Sequence, residues 1–410
     1  MQLSHYIRKT LATTVVFSVM VLPAINELHK STNELHKSTL TVSRGSQDLV
    51  QANPGRLVER GIEKLNRENY QEAIEVFTEA VKNNPDLAIV YFKRGFAHFK
   101  LGEYQEAIAD LNQVLRINPE HATAYYNRGL VYAQLGEYQE AIADFTQALQ
   151  INPEDAAAYY NRGIAHYQLG EDQEAITDFT QALQINPKDA DAYFMRGLAH
   201  AELGEYQEEI ADYNQALQIN PEDATAYYNR GIAHAQLGEH QEAIADFTQA
   251  LQINPEDADA YYNRGRARAK LGNYQKAIED ADQALQIDPN LAKAYVIQSF
   301  AHLELGEYQK VIEDADQALQ VNPNLAKAYL NRSAAHLGLG EYQKAIEDAD
   351  QALQINPNLA RAYFNWGLAH YQLGEDQEAI ADLQKAAQLF LDQGEQANYE
   401  RTRTLIQKLQ

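Results

Sequence analysis

Histidine recurs through this chain at intervals of 34 residues or twice that, and a row of imidazoles has the chemistry to hold metal ions. The row consists of His98, His166, His200, His234, His302, His336 and His370. Packed helices lie ~8 to 10 Å apart, whereas one ion binds its nitrogen ligands at ~2 Å. Two histidines from successive helix pairs are therefore too far apart to share an ion. We interpret the row as packing residues and predict no metal site.

Other residues with catalytic potential form no active-site pattern. Acidic pairs such as Glu154-Asp155 and Glu256-Asp257 recur where successive repeats meet. We interpret them as solvated loop charges, with calcium binding as the alternative. The sequence contains no cysteine, glycine-rich phosphate loop, nucleophile elbow or zinc signature. These observations predict a protein that is not an enzyme and has no cofactor.

The elements that carry these residues repeat with a period of 34 residues, which prolines mark from Pro85 to Pro357. In the repeat that begins at Ala122, apolar residues return at helical spacing as far as Gln134, and Gly136 ends the helix. A second helix is predicted from about Tyr138 to Ile151, before a proline. Such a short unit cannot bury its own apolar face, so the copies must stack. The sequence thus predicts an all-α solenoid of antiparallel helix pairs.

Several positions of each repeat also match a known motif. In the third repeat they are Tyr125, Gly129, Tyr132, Ala141, Phe145, Ala148 and Pro153. With these residues the chain resembles bacterial tetratricopeptide repeat (TPR) proteins, whose period it shares. The resemblance implies a right-handed superhelix of ten repeats and a capping helix at 394–410. The repeats are expected at 54–87, 88–121, 122–155, 156–189, 190–223, 224–257, 258–291, 292–325, 326–359 and 360–393.

The first 53 residues lie outside this pattern. Arg8 and Lys9 precede an apolar run from Leu11 to Leu22, which is typical of a secretory signal. We therefore expect residues 1–25 to be a signal peptide or a membrane anchor. Residues 26–53 carry a duplicated NELHKST segment and are expected to form a flexible polar linker. This arrangement predicts an exported protein, periplasmic or secreted, or a membrane-anchored one, rather than a cytoplasmic one.

Two charged columns predict ion pairs between the helices of a repeat. Arginine recurs in the first helix at Arg94, Arg128, Arg162, Arg196, Arg230, Arg264 and Arg332, in phase with an aspartate of the second helix such as Asp178. Matching phase favours charge-assisted hydrogen bonds between them. Gln298 and Trp366 interrupt the arginine column. Glu209 stands where most repeats have alanine, so we expect looser or rearranged packing there.

In TPR proteins the first helices line the concave side, so the resemblance implies a peptide-binding groove made of three columns. An asparagine offers a donor and an acceptor to an extended backbone, and a tyrosine offers a large contact area. Lys93, Met195 and Ile297 interrupt the asparagine column. The expected groove residues are Asn127, Asn161, Asn229, Asn263, Asn331 and Asn365; Tyr126, Tyr160, Phe194, Tyr228, Tyr262 and Phe364; and Gln134, Gln168, Gln236 and Gln372.

The function predicted from these features is a non-catalytic scaffold that binds a protein or peptide. The formal net charge of −24 disfavours nucleic acid as a partner, and only the N-terminal segment is expected to contact a membrane. Only the asparagine column and the scattered Lys293, Lys327 and Arg361 correspond to the clamp of chaperone-binding TPR domains, so no clamp for a chaperone tail is predicted. The alternatives are a self-assembling structural protein that uses its ends or convex face, and a regulatory partner of an enzyme such as a glycosyltransferase.

Overall fold

The computed structural model describes residues 54–410, which form twenty-one α-helices and no strand. The predicted signal or anchor and the polar linker lie outside the described residues. The helices are α1 (Pro54–Asn66), α2 (Tyr70–Asn83), α3 (Ala88–Lys100), α4 (Tyr104–Ile117), α5 (Ala122–Gln134), α6 (Tyr138–Ile151), α7 (Ala156–Leu169), α8 (Asp172–Ile185), α9 (Ala190–Leu203), α10 (Tyr206–Ile219), α11 (Ala224–Gln236), α12 (His240–Ile253), α13 (Ala258–Lys270), α14 (Tyr274–Ile287), α15 (Ala292–Glu304), α16 (Tyr308–Val321), α17 (Ala326–Gly338), α18 (Tyr342–Ile355), α19 (Ala360–Leu373), α20 (Asp376–Asp392) and α21 (Gln396–Leu409).

The helices form two compact units, residues 54–220 with α1 to α10 and residues 221–410 with α11 to α21. Within each unit the odd-numbered helices up to α19 each pack against the helix that follows, which makes a series of antiparallel pairs, and α21 packs against α20. The predicted all-α solenoid fold is confirmed. Among residues 54–410, no helix is both long and apolar enough to cross a membrane.

Local signals set the helix ends where the sequence predicts them. Helix α5 is followed by Gly136, whose φ of 76° lies in the left-handed region that glycine adopts without strain. Helix α6 ends before Asn152, which has a ψ of 88° because the following Pro153 disfavours helical geometry. The same two signals end the helices of most other pairs, so each repeat reverses direction twice.

Close contact between paired helices explains the glycine column. A Cβ atom added to Gly129 would lie 2.8 Å from Cε1 of Phe145, a distance that the aromatic ring does not allow. Phe145 is completely buried and its ring centroid lies 5.7 Å from that of Tyr126. The apolar core of this pair therefore depends on one aromatic side chain filling the space that a glycine leaves.

The predicted ion pairs connect the two helices of every pair that carries the arginine. Arg162 donates from Nε to Oδ2 of Asp178 at 2.8 Å and from Nη2 to Oδ1 at 2.6 Å. The carboxylate is buried, and the third nitrogen, Nη1, donates to Thr146 on the preceding second helix. Two parallel hydrogen bonds to one carboxylate are the strong, directional form of this contact. The charged columns are thus a structural seam, as expected.

The histidines are part of the same seam. Their interpretation as packing residues did not include these polar contacts. Nδ1 of His166 lies 2.6 Å from Glu171 at the turn, and its Nε2 lies 3.8 Å from Oδ2 of Asp178. The imidazole thus joins the turn to the seam, and its ring is largely buried. A glutamate recurring five residues after each of the seven histidines was the sequence signal for this contact.

Candidate peptide-binding groove

Odd-numbered helices within each unit also contact one another and share one face. In residues 54–220 these contacts join α1 to α3, α5 to α7 and α7 to α9. In residues 221–410 they join α11, α13, α15, α17 and α19 in order. We call this surface the first-helix face of each unit. It carries the asparagine, aromatic and glutamine columns that the sequence predicts as a groove.

Four of the predicted asparagines are buried in this face rather than displayed on it: Asn161, Asn263, Asn331 and Asn365. Nδ2 of Asn161 donates to the hydroxyl of Tyr126 at 3.1 Å and to the carbonyl of Ala157 at 2.8 Å. Asn263 repeats this arrangement in the second unit, donating to Tyr228 at 3.0 Å. These amides link adjacent first helices, and their contact with a ligand stays a prediction.

The other two asparagines, Asn127 and Asn229, are half-buried. Asn127 lines a small cavity of 20 Å³ together with Phe96 and Lys100 of the preceding first helix. The substitutions that interrupt the column also have structural consequences. Met195 occupies the position whose asparagine would reach Tyr160, and the buried Tyr160 hydroxyl has no hydrogen-bond partner among the described residues.

The aromatic column is mostly covered. Tyr126, Tyr160 and Phe194 are buried, and their rings pack against an aromatic ring of the paired second helix, with centroids 5.5 to 5.7 Å apart. Tyr228, Tyr262 and Phe364 are half-buried. Of the glutamines, Gln134 and Gln168 are half-buried, whereas Gln236 and Gln372 are exposed. Exposed groups of the predicted groove therefore concentrate in residues 221–410.

The tyrosine–asparagine contact gives a test that needs no ligand. Changing Tyr126 to phenylalanine should lower the free energy of unfolding by about 1 kcal/mol, because a buried donor of Asn161 loses its acceptor. Tyr160→Phe is the matched control and should be neutral or slightly stabilising, because that hydroxyl is buried without a partner. Urea denaturation followed by circular dichroism measures both. Equal losses would contradict the assignment of these bonds.

A recess of the first-helix face lies at the C-terminal end of the second unit. It has a volume of 280 Å³ and is formed by α15, α17 and α19, with α20 and α21 closing one side. Three of the predicted groove residues, Asn331, Phe364 and Asn365, come together here. The other lining residues are Phe300, Leu303, Glu304, Leu330, Ala334, Arg361, Phe390, Asn398, Arg401 and Thr402. We call this recess the C-terminal groove.

The C-terminal groove combines an apolar floor with a cationic rim. Arg361 and Arg401 are exposed, and the guanidinium of Arg401 lies 5.7 Å from the centre of the Phe364 ring. Glu304 is the one acidic residue in the lining, and its carboxylate accepts a hydrogen bond from the hydroxyl of Tyr274 at 3.3 Å. The lining thus has a formal charge of +1 in a strongly acidic protein.

Sequence reasoning missed Arg401 and, apart from Phe364, the apolar residues of this groove. Arg361 was noticed only as one of a few scattered matches to chaperone-binding domains. The available signal was the column that changes from Thr225 and Asp259 to Lys293, Lys327 and Arg361 along the second unit. Arg401 carries no such signal, because it belongs to the capping helix α21 and reaches the groove only through packing.

Comparison with protein families gives repeated matches to one family. Models described as tetratricopeptide repeat match residues 58–119, 92–156, 126–190 and 228–292, residues 179–211 and residues 360–392. A model described as TPR repeat matches residues 197–238 and 335–374. A search of the curated proteins finds no match.

Solved structures of repeat proteins are also similar to this chain. YrrB, described as a TPR protein with an unusual peptide-binding site, is 28% identical, with 45% of this chain and 95% of that chain covered and a TM-score of 0.42. MamA is 28% identical, with 42% and 94% covered and a TM-score of 0.40. A tetratricopeptide repeat protein from Parabacteroides merdae is 23% identical, with 60% and 98% covered and a TM-score of 0.44.

Proposed function

Because this chain belongs to the tetratricopeptide repeat family, we propose that it is a non-catalytic scaffold that binds an extended segment of a partner protein on its first-helix face. TPR repeats in general act as protein–protein interaction scaffolds, and their fold is typically non-catalytic. The finer part of the proposal is the binding site. We place it in the C-terminal groove of residues 221–410 rather than along the whole asparagine column.

One observation carries this choice: the C-terminal groove offers open apolar and cationic groups together. Phe300, Leu303 and Leu330 provide a floor for an aliphatic or aromatic side chain of the partner. Arg361 and Arg401 can each form paired hydrogen bonds with a carboxylate at the rim. The ligand that fits both features is a peptide with an acidic residue close to an apolar one.

The asparagines have a supporting role in this proposal. Nδ2 of Asn331 donates to Oγ of Ser299 at 2.8 Å, and Nδ2 of Asn365 faces the carbonyl of Leu330 at 3.5 Å. These contacts hold α17 against α15 and α19 against α17, so the groove exists before a ligand arrives. A preformed site loses little entropy on binding.

The proposal is tested with peptides selected by the protein itself. A displayed library of random twelve-residue peptides is panned on the immobilised full chain, and the selected peptides should combine Asp or Glu with Leu or Phe. Fluorescence anisotropy then measures their affinity for Arg361→Ala/Arg401→Ala, which should be weaker by about 10- to 100-fold, since each lost charged hydrogen bond is worth ~1.5 to 3 kcal/mol.

The matched control is Lys385→Ala/Arg403→Ala, which removes the same charge from exposed positions of α20 and α21 outside the groove. This variant should bind the selected peptides as the unchanged protein does. Equal losses of peptide affinity in both double variants would mean that the charges act only at long range. That result would contradict binding in the C-terminal groove. Selection of peptides without acidic residues would contradict the proposed ligand and favour the self-assembly alternative.

A further inference from the structure

The arginines of the seam occupy a recurring binding arrangement, which Arg264 illustrates. Its guanidinium lies 5.3 Å from the centre of the Tyr261 ring, three residues earlier. Nη2 donates to Asp280 at 2.7 Å, and Nη1 donates to Thr248 of the preceding second helix at 3.2 Å. We call this combination of a tyrosine face, a carboxylate and a second acceptor the guanidinium seat.

The same seat holds the other arginines of the column. Each of their guanidinium groups lies 5.3 to 5.6 Å from the ring of the tyrosine three residues earlier. In the case of Arg332, the second acceptor is the carboxylate of Asp316, so that this seat has two acidic groups. The chain itself therefore demonstrates that these side chains bind a guanidinium group.

The repeat at 292–325 keeps the seat but changes the residue in it. Tyr295 supplies the ring, Asp314 the carboxylate of the paired helix and Asp282 the acceptor on the preceding second helix, while Gln298 replaces arginine. Nε2 of Gln298 donates to Asp282 at 2.6 Å, whereas Asp314 pairs with Nδ1 of His302 at 2.7 Å. The shorter, neutral amide therefore reaches only one of the two carboxylates.

A groove of 460 Å³ opens beside Gln298, between α14 and α15. Its lining includes the exposed carboxylates of Glu279 and Asp282 and the half-buried Tyr295, and contains no basic residue. No cation lies over the Tyr295 ring within residues 54–410, unlike the corresponding rings of the arginine-containing repeats. The groove is thus acidic, is lined by a half-buried aromatic ring without a cation over it, and adjoins a seat built for a planar cation.

We propose that this groove binds an arginine side chain of a partner protein, with its guanidinium over Tyr295 and paired with Asp282. Arginine fits better than lysine, because a planar fork of donors can stack on a ring and bond a carboxylate at the same time. The site differs from the C-terminal groove in position and in charge. One TPR chain would then hold an acidic segment and a basic segment at separate places.

The test uses the full chain and two short probes, Ac-Gly-Arg-Gly-NH2 and Ac-Gly-Lys-Gly-NH2, with binding followed by saturation-transfer NMR. The arginine probe should bind, and the lysine probe should bind several-fold more weakly. Gln298→Arg should weaken binding of the arginine probe by about tenfold or more, because the chain's own guanidinium then takes the seat. Asp282→Asn should weaken it by about tenfold through loss of the charged acceptor.

Asp316→Asn is the matched control, since it removes the same charge from the same column, where Arg332 already occupies the seat. Probe binding to this variant should be unchanged. Equal binding of both probes, equal losses in Asp282→Asn and Asp316→Asn, or unaltered binding to Gln298→Arg would each overturn the proposal. Far-ultraviolet circular dichroism of every variant establishes that the comparison is made on folded protein.

Discussion

Replacing Lys93 by methionine should raise the free energy of unfolding by about 2 to 4 kcal/mol near pH 7. Lys93 lies in the asparagine column of α3, is completely buried, and its Nζ has no hydrogen-bond partner among residues 54–410. Burial lowers its pKa from an ordinary 10.5 to about 8. Each pKa unit corresponds to ~1.36 kcal/mol, so burying the charged ammonium is costly. Methionine keeps a similar length and removes that cost.

The pH dependence of this gain has a definite sign. Between pH 8 and 10.5 the unfolded chain binds a proton at Lys93 that the folded protein has released, because the folded pKa is the lower of the two. The stability of the unchanged protein therefore rises through this window relative to Lys93→Met. The difference in free energy of unfolding between the two proteins becomes smaller. Below pH 8 the full difference is present. Denaturant melts at pH 7 and pH 10 measure it.

Lys82→Met is the control for this experiment, because Lys82 is an exposed residue of the adjacent helix α2. It should change the free energy of unfolding by less than about 0.5 kcal/mol at either pH. An equal gain in free energy of unfolding from both substitutions would mean that the effect comes from the change in net charge or from helix propensity, and not from burial of Lys93. A gain from Lys93→Met that does not change with pH would contradict the assigned ionisation.

Glu209→Ala should also stabilise the protein, by about 3 to 5 kcal/mol above pH 8. Glu209 lies in α10 at the position where most repeats place a buried alanine such as Ala141 or Ala175, and only 4% of its surface is exposed. Burial, with a smaller contribution from Glu202, raises its pKa to about 8. Alanine restores the small residue that the close contact of paired helices favours, and it removes the buried carboxylate.

Here the pH dependence runs in the opposite direction. The folded pKa is above the ordinary value of 4.5, so the folded protein holds a proton that the unfolded chain has lost between these pH values. The stability of the unchanged protein therefore falls as pH rises from 4.5 to 8, and the advantage of Glu209→Ala grows. Near pH 4.5 this ionisation should contribute little to the difference in free energy of unfolding between the two proteins.

Two comparisons separate charge from packing. Glu208→Ala changes an exposed neighbour in the same helix and should have little effect at any pH. Glu209→Gln keeps the size of the side chain, so it should lose the pH dependence while retaining part of the packing cost. If the gap between Glu209→Ala and the unchanged protein were constant from pH 5 to pH 9, Glu209 would not titrate as proposed.

The architecture was accessible from the sequence because local signals determine it. The predicted helices Ala122–Gln134 and Tyr138–Ile151 agree with α5 and α6, since a glycine and an Asn-Pro pair end them regardless of their neighbours. The pairing of Arg162 with Asp178 was also predictable, because two columns with one period meet in every repeat that carries both residues. Contacts between residues less than one repeat apart could therefore be predicted directly from the sequence.

Exposure, in contrast, was decided by tertiary structure. Asn161 was expected to face a ligand, yet Tyr126, 35 residues earlier, covers it and accepts its hydrogen bond. Arg401 joins the C-terminal groove only because α21 packs back on the last helix pair. A position that recurs in every repeat specifies which residues become neighbours. Whether the next repeat buries or exposes those residues depends on the volume and polarity of side chains that meet only after the repeats stack.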